Sequence, residues 1–118
     1  MKISNASKES IARFTIGGEG DLWKARSGSQ LVKLFQTLGF RDDTYDPENG
    51  GLPKLKNSNL NTSKFSYVKD RICNITDINL RKLIEQLIAE SSDKQEAIKL
   101  LNEVLAMDSI QLKYNDNI

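Results

Sequence analysis

Apolar residues recur every three or four positions along most of the chain, the spacing that places side chains on one face of an α-helix. The clearest run extends from 77 to 107, where a polar break at 90–93 separates two apolar stripes. Because this break is so short, the pattern predicts two antiparallel helices that lie side by side. The stripes are Leu80, Leu83, Ile84, Leu87 and Ile88, then Ala97, Leu100, Leu101, Val104 and Leu105.

Three shorter stripes precede this pair and predict three more helices. The first stops at the glycine cluster 17–20, the second ends at Gly39, and the third spans 62–74. Neither of the two long stripes can be buried by its own helix, so all five helices are expected to share one core. The predicted core residues are Ile11, Phe14, Trp23, Leu31, Leu34, Phe35, Leu38, Phe65, Val68, Ile72, Leu80, Leu83, Ile84, Leu87, Leu101 and Val104.

Capping residues predict where each helix begins, because their side-chain oxygens can accept hydrogen bonds from the free N–H groups of the first turn. Ser92 and Asp93 are alternative caps for the last helix, and each has a Gln or Glu three residues later, at capping-box spacing. The caps expected for the other helices are Ser7, then Ser27 or Ser29, then Thr62 or Ser63, and Asp77.

Trp23 is the single tryptophan and lies between the glycine cluster and the second helix. We expect its ring to fill the space between two short elements and its indole N–H to donate to a carbonyl oxygen. The alternative is that Trp23 stacks on a nucleic-acid base beside Lys24 and Arg26.

The segment 40–53 is predicted to be a loop, with a strong turn signal at 49–51. Its acidic residues do not follow the alternating ligand spacing of a calcium loop, which also ends in a glutamate twelve positions along. A solvated acidic loop is therefore expected, and no metal site is predicted. The acidic residues are Asp42, Asp43, Asp46 and Glu48.

A basic segment follows this loop and extends into the third helix. If Phe65, Val68 and Ile72 face inward, the helix presents cations and a tyrosine on its outer face. This is the arrangement of a recognition helix in a helix-turn-helix, and the alternative is a surface helix whose cations balance acidic residues elsewhere. The predicted partner or nucleic-acid surface comprises Lys54, Lys56, Lys64, Tyr67, Lys69 and Arg71, with Lys24 and Arg26 beside them.

The C-terminal segment changes period, since Ile110, Leu112 and Tyr114 alternate with polar residues as in a β-strand. The chain stops before a partner strand, so we expect it to be an N-terminal fragment of a longer protein. The predicted fold is a mostly α single domain over 1–118: a compact bundle of about five helices and a short C-terminal strand, with a (winged) helix-turn-helix-like arrangement as one interpretation.

The composition of the chain excludes several classes of function but does not point to a particular one. A net charge of +1 does not indicate nucleic acid or a membrane as the partner. No run of apolar residues is long enough to span a bilayer. The chain has no histidine and a single cysteine, Cys73, so Ser-His and Cys-His dyads and an intramolecular disulfide are excluded. The glycine cluster lacks the Lys-Ser/Thr of a phosphate-binding loop. We expect a cytoplasmic protein that is not an enzyme and has no cofactor.

Several short stretches follow one another along the chain in a recognisable order and end in the Leu-rich helix pair. They are Trp23, Ser27-Gly28-Ser29-Gln30-Leu31-Val32, Leu38-Gly39-Phe40, Asn49-Gly50-Gly51-Leu52-Pro53 and Ser63-Lys64-Phe65-Ser66-Tyr67-Val68. Together they resemble the helical N-terminal regions of bacterial abortive-infection proteins of the AbiJ kind. The resemblance spans most of the chain and implies a phage-defence protein whose N-terminal domain senses an invader or restrains a C-terminal effector. Toxic ribonuclease domains of such systems often carry an Arg-x-x-x-x-His motif, which a chain without histidine cannot contain.

Two functions follow as hypotheses. The first is a non-catalytic sensor or regulatory interaction domain of an antiviral defence protein, whose partner is the C-terminal effector region of the same protein or another protein. The second is a DNA-binding or other nucleic-acid-binding module that uses the basic helix 62–74. Salt dependence separates the two, because phosphate contacts weaken steeply as salt rises.

Overall fold

The structure is a computed structural model, and it describes residues 3–18, 20–42, 51–53, 55 and 62–106. The described residues are mostly helical, as predicted, and none of them lies in a strand. The strand predicted at 110–114 lies outside the described residues. The helices are α1 (Asn5–Ile16), α2 (Gly28–Thr37), α3 (Lys64–Asn74), α4 (Asp77–Glu90) and α5 (Lys94–Ala106).

Three of the predicted caps are confirmed. Ser27 and Gln30 form a complete capping box at the start of α2, in which each side chain bonds the other residue's backbone N–H. The Ser63 hydroxyl accepts from the backbone N–H three residues on, at 3.1 Å. The Asp93 carboxylate accepts from the N–H of Glu96 at 3.2 Å and so caps α5. These bonds satisfy first-turn N–H groups that have no partner within the helix.

Two predicted caps are wrong, and in both cases the helix begins earlier than expected. Ser4 rather than Ser7 caps α1, and Thr76 rather than Asp77 caps α4. Ser7 is buried instead, and its hydroxyl donates to the backbone oxygen of Val104 on α5 at 3.2 Å. Asp77 occupies the first turn of α4, where a negative charge complements the partial positive charge of the helix N-terminus.

One hydrophobic cluster joins the five helices. Helix α1 packs against α3 and α5, α2 packs against α3, and α4 packs against α5. Most of the predicted core residues are buried, whereas Phe14, Phe65 and Val104 are only partly buried at its edge. Core residues absent from the prediction are Ala12, Val32, Leu52, Tyr67, Ile88, Ala97 and Leu105.

The core role predicted for Trp23 is confirmed. Its ring is 5% exposed and stacks on Phe14 with 4.9 Å between ring centroids. Its indole N–H donates to the carbonyl oxygen of Leu87 at 2.6 Å. That carbonyl lies in the last turn of α4, where no backbone N–H of the helix is available to it. Because the ring is enclosed in this way, the base-stacking alternative is wrong.

The segment between α1 and α2 is held in place by backbone hydrogen bonds. Gly18 donates to the Trp23 carbonyl at 2.9 Å, and Arg26 donates to the Ile16 carbonyl at 2.9 Å. Gly17 has a φ of 75°, and a Cβ there would come within 2.2 Å of the Lys24 oxygen, so only glycine fits. This close approach fixes the position of residues 24–26, and therefore of their side chains, relative to the end of α1.

Candidate functional site

The basic helix α3 was the first candidate for a partner surface, and the structure assigns its residues to different environments. Lys64 is exposed in the first turn. Lys69 forms an ion pair with Glu9 of α1, with 2.9 Å between Nζ and Oε1. Tyr67 and Arg71 both bind Asp42. Lys54 and Lys56, the two upstream members, lie outside the described residues.

Tyr67 was predicted on the outer face of α3, and this prediction is wrong. The residue is fully buried, and its ring meets the edge of Phe35 at a centroid distance of 5.7 Å. The physical reason is that α3 packs against two helices, α1 and α2, so its buried arc is wider than the single stripe of Val68 and Ile72. The tyrosine therefore points into the protein rather than toward a partner.

Arg71 forms a bidentate ion pair with Asp42. Its Nε donates to Oδ2 at 2.8 Å and its Nη2 donates to Oδ1 at 2.7 Å. The Tyr67 hydroxyl donates to the same Oδ2 at 2.8 Å. The guanidinium lies 4.8 Å from the Tyr67 ring centroid, within cation–π range. We call Asp42, Tyr67 and Arg71 the Asp42 clamp, and it joins the start of the acidic loop to α3.

The clamp contradicts the expectation that Asp42 is a solvated loop residue. The side chains of Asp42 and Arg71 are 16% and 15% exposed. The bidentate geometry suits the fixed fork of a guanidinium and explains why an arginine holds this carboxylate. The other acidic residues of the loop, Asp43, Asp46 and Glu48, lie outside the described residues.

The clamp shifts the pKa values of its members. Burial alone would raise the pKa of Asp42, but the hydrogen bonds from Arg71 and Tyr67 and the charge of Arg71 outweigh burial and hold that pKa below its ordinary value. Burial and the adjacent Asp42 carboxylate raise the pKa of Tyr67, so the phenol remains a proton donor at neutral pH. Burial would lower the pKa of Arg71, but Asp42 raises it instead.

The lowered pKa of Asp42 makes a prediction about acid stability. A group whose folded pKa lies below its unfolded value stabilises the protein above the unfolded pKa, and this contribution is lost as pH falls through the folded pKa. The stability difference between the wild type and Asp42→Asn should therefore be constant above about pH 5 and shrink below the ordinary pKa of 3.8. Urea unfolding across this pH range measures it.

Glu9→Gln is the matched control for that titration. The hydrogen bond and charge of Lys69 lower the pKa of Glu9, but this carboxylate is more exposed than Asp42. The Glu9→Gln variant should still lose most of the stability that the wild type loses at low pH, whereas the Asp42→Asn variant should lose less. Equal slopes in the wild type and Asp42→Asn would contradict the assignment of that loss to the clamp.

A groove forms the second candidate site and contains the other two predicted residues, Lys24 and Arg26. It lies between segment 23–26, α2 and the C-terminal half of α4, and encloses about 760 Å³. We call it the α2–α4 groove. The described residues that line it are Trp23, Lys24, Ala25, Arg26, Gln30, Lys33, Leu34, Thr37, Gln86 and Glu90.

Arg26 is fixed in the groove by two partners. Its Nη1 donates to the carbonyl oxygen of Thr15 at 2.8 Å, and its Nη2 forms an ion pair with Glu90. Gln86 donates to the other carboxylate oxygen of Glu90 at 3.0 Å. Lys24 is exposed beside this network. Sequence reasoning identified Lys24 and Arg26 but missed Lys33, which lies on the next helix, and Glu90, which is remote in sequence.

Within the part of the chain that the structure describes, no three metal-binding side chains converge on one point. In the same residues, no helix has the length and apolarity needed to cross a membrane. Comparison with known proteins gives no further indication of function: no protein-family model, curated protein or solved structure matches the chain.

Proposed function

We propose that this chain is a non-catalytic interaction domain that binds a protein partner. The observation that carries the proposal is the internal use of the basic helix. Of the four α3 residues predicted to meet a partner, Tyr67 and Arg71 bind Asp42, and Lys69 binds Glu9. Side chains engaged in this way are poorly placed to bind a phosphate backbone, which requires cations that face outward.

The proposal that the domain is non-catalytic is supported by its residue types. Without histidine, proton transfer at neutral pH would require a carboxylate, lysine or tyrosine with a suitably shifted pKa. The shifts found for Asp42 and Tyr67 run away from neutrality and hold each group in its ordinary charge state. They support a structural role for the clamp.

The resemblance to abortive-infection proteins supplies a setting for this proposal. In that setting the domain senses an invader or restrains an effector, and its partner is a C-terminal effector region of the same protein or another protein. A nucleic-acid-binding module with a helix-turn-helix-like arrangement remains the competing hypothesis. Among the described residues of α3, the exposed Lys64 is the cation that still supports this hypothesis.

Duplex binding at low salt tests the proposal against its competitor, because a weak electrostatic site shows itself best there. We expect labelled duplex DNA and RNA to give background fluorescence anisotropy with the wild type, Lys64→Glu and Lys99→Glu alike. Lys99 is the matched control, since it is an exposed lysine on α5, away from the basic helix. Arg71→Glu is unsuitable, because it would place a second carboxylate against Asp42 and break the clamp.

One pattern of binding would contradict the proposed function. Micromolar or tighter duplex binding that Lys64→Glu weakens and Lys99→Glu does not would overturn the proposal. Loss of one phosphate contact should then reduce the slope of log affinity against log salt by about one.

A further inference from the structure

The α2–α4 groove has a volume typical of sites that bind ligands, which range from roughly 300 to 1,000 Å³. The groove encloses about 760 Å³ and opens to solvent. Its apolar lining comes from Trp23, Ala25 and Leu34, and the first and last of these are anchored in the core. A rigid apolar floor with polar walls can hold a ligand without having to reorganise first.

The charges around the groove do not balance. Three of its lining residues, Lys24, Arg26 and Lys33, are cations, whereas Glu90 is the one carboxylate among the described lining residues. Arg26 and Gln86 already bind Glu90, so its charge is compensated. Lys24 and Lys33 are exposed, and neither forms an ion pair with any carboxylate in the described residues. The groove therefore carries an excess of positive charge on two of its walls.

We propose that the α2–α4 groove binds an acidic, extended segment of a protein partner. Lys24 from the interhelical segment and Lys33 from α2 pair with carboxylates of that segment, and an apolar side chain of the segment rests against the exposed Ala25. This inference rests on the proposed interaction function and gives it a surface and a class of partner. It also gives Lys24 a role that does not require nucleic acid.

A peptide fits this surface better than a nucleic-acid strand does. The groove offers two exposed lysines, Lys24 and Lys33, which can pair with two carboxylates of a peptide. A nucleic-acid strand carries a phosphate at every nucleotide and is held by a basic groove that follows its whole backbone. Single strands also bind by stacking bases on exposed aromatic faces, and the Trp23 ring is buried against Phe14. The charge of the groove and the burial of its aromatic ring thus both favour a peptide.

The experiment selects peptides from a random displayed library on the wild-type protein, with the Lys24→Glu/Lys33→Glu variant as counter-selection. The selected consensus peptide is then synthesised and titrated into the labelled protein while backbone amide NMR shifts are followed. We expect a consensus rich in Asp and Glu, with shifts centred on segment 23–26 and the first turns of α2. Each single charge reversal should weaken binding about fivefold, because attraction becomes repulsion at the rim.

Lys82→Glu is the matched control, since Lys82 is an exposed lysine on α4 that does not line the groove. It should bind the peptide like the wild type, and the wild-type fold of the groove variants is checked by their amide spectra. A consensus without acidic excess, shifts centred elsewhere or no selected peptide would overturn the groove assignment alone. Duplex DNA or RNA that shifts the groove amides more strongly than the peptide would overturn the proposed function as well.

Discussion

Replacing Leu87 with alanine should lower the free energy of unfolding by roughly 2–5 kcal/mol, and Leu83→Ala should have a similar effect. Both side chains are fully buried on α4. Each substitution removes buried methyl groups and leaves a cavity that the neighbouring helices can fill only in part. Because a domain of this size is stabilised by only about 5–15 kcal/mol in total, such a loss is readily measured by urea or thermal unfolding.

Ile78→Ala is the matched control for these two substitutions, because Ile78 is an aliphatic residue of the same helix that is 70% exposed. Its replacement should change stability by no more than about 0.5 kcal/mol. Unchanged melting temperatures in both leucine variants would show that α4 does not bury this face. A large loss in Ile78→Ala would mean that the helix packs through the opposite face.

The same periodicity explains how much of the fold is predictable from the sequence. The stripe through Leu83 and Leu87 is regular because α4 buries one face, so counting by threes and fours recovers it. Tyr67 escapes that count because α3 contacts two helices, and the residue preceding Val68 is buried as well. A single apolar stripe predicts one neighbour, and only the packing reveals the second.

Helix boundaries were predicted less accurately for a local reason. Ser4 and Ser7 both precede the first apolar stripe, and Thr76 and Asp77 both precede that of α4. Each of these side chains can cap a helix, so composition does not decide between neighbours. The sequence alone offers Ser27 and Ser29 as alternative caps for α2, and the capping box that the structure shows between Ser27 and Gln30 distinguishes them.

The two candidate sites depend on contacts that sequence patterns do not encode. Asp42 lies 29 positions before Arg71 and Arg26 lies 64 positions before Glu90, so neither pair leaves a periodic signal. Charge counting assigned Asp42 to a solvated loop and Arg71 to an exposed surface. The structure shows that each compensates the other, which removes both from the surface charge available to a partner.

The Asp42 clamp should be the second large contributor to stability, and a double-mutant cycle isolates it. Arg71→Ala leaves a mostly buried carboxylate that has lost its cation, whereas Asp42→Ala leaves a guanidinium that keeps Asp70 as a carboxylate partner. Each change should cost roughly 2–4 kcal/mol, somewhat below the value for a fully buried pair because both groups keep some exposure. The double variant should cost less than the sum, with a coupling energy of about 1–3 kcal/mol.

The ion pair between Lys69 and Glu9 is the internal comparison for this cycle. It also joins α3 to another part of the chain, but its side chains are 34% and 35% exposed, so water screens the attraction. Its coupling energy should be that of an ordinary surface ion pair and well below that of the clamp. If the Arg71 and Asp42 substitutions are additive, the clamp is no stronger than a surface pair, and Arg71 is then free to face a phosphate or a protein partner. A coupling well above that of the Lys69 pair assigns Arg71 to the interior and leaves the α2–α4 groove as the basic surface to test.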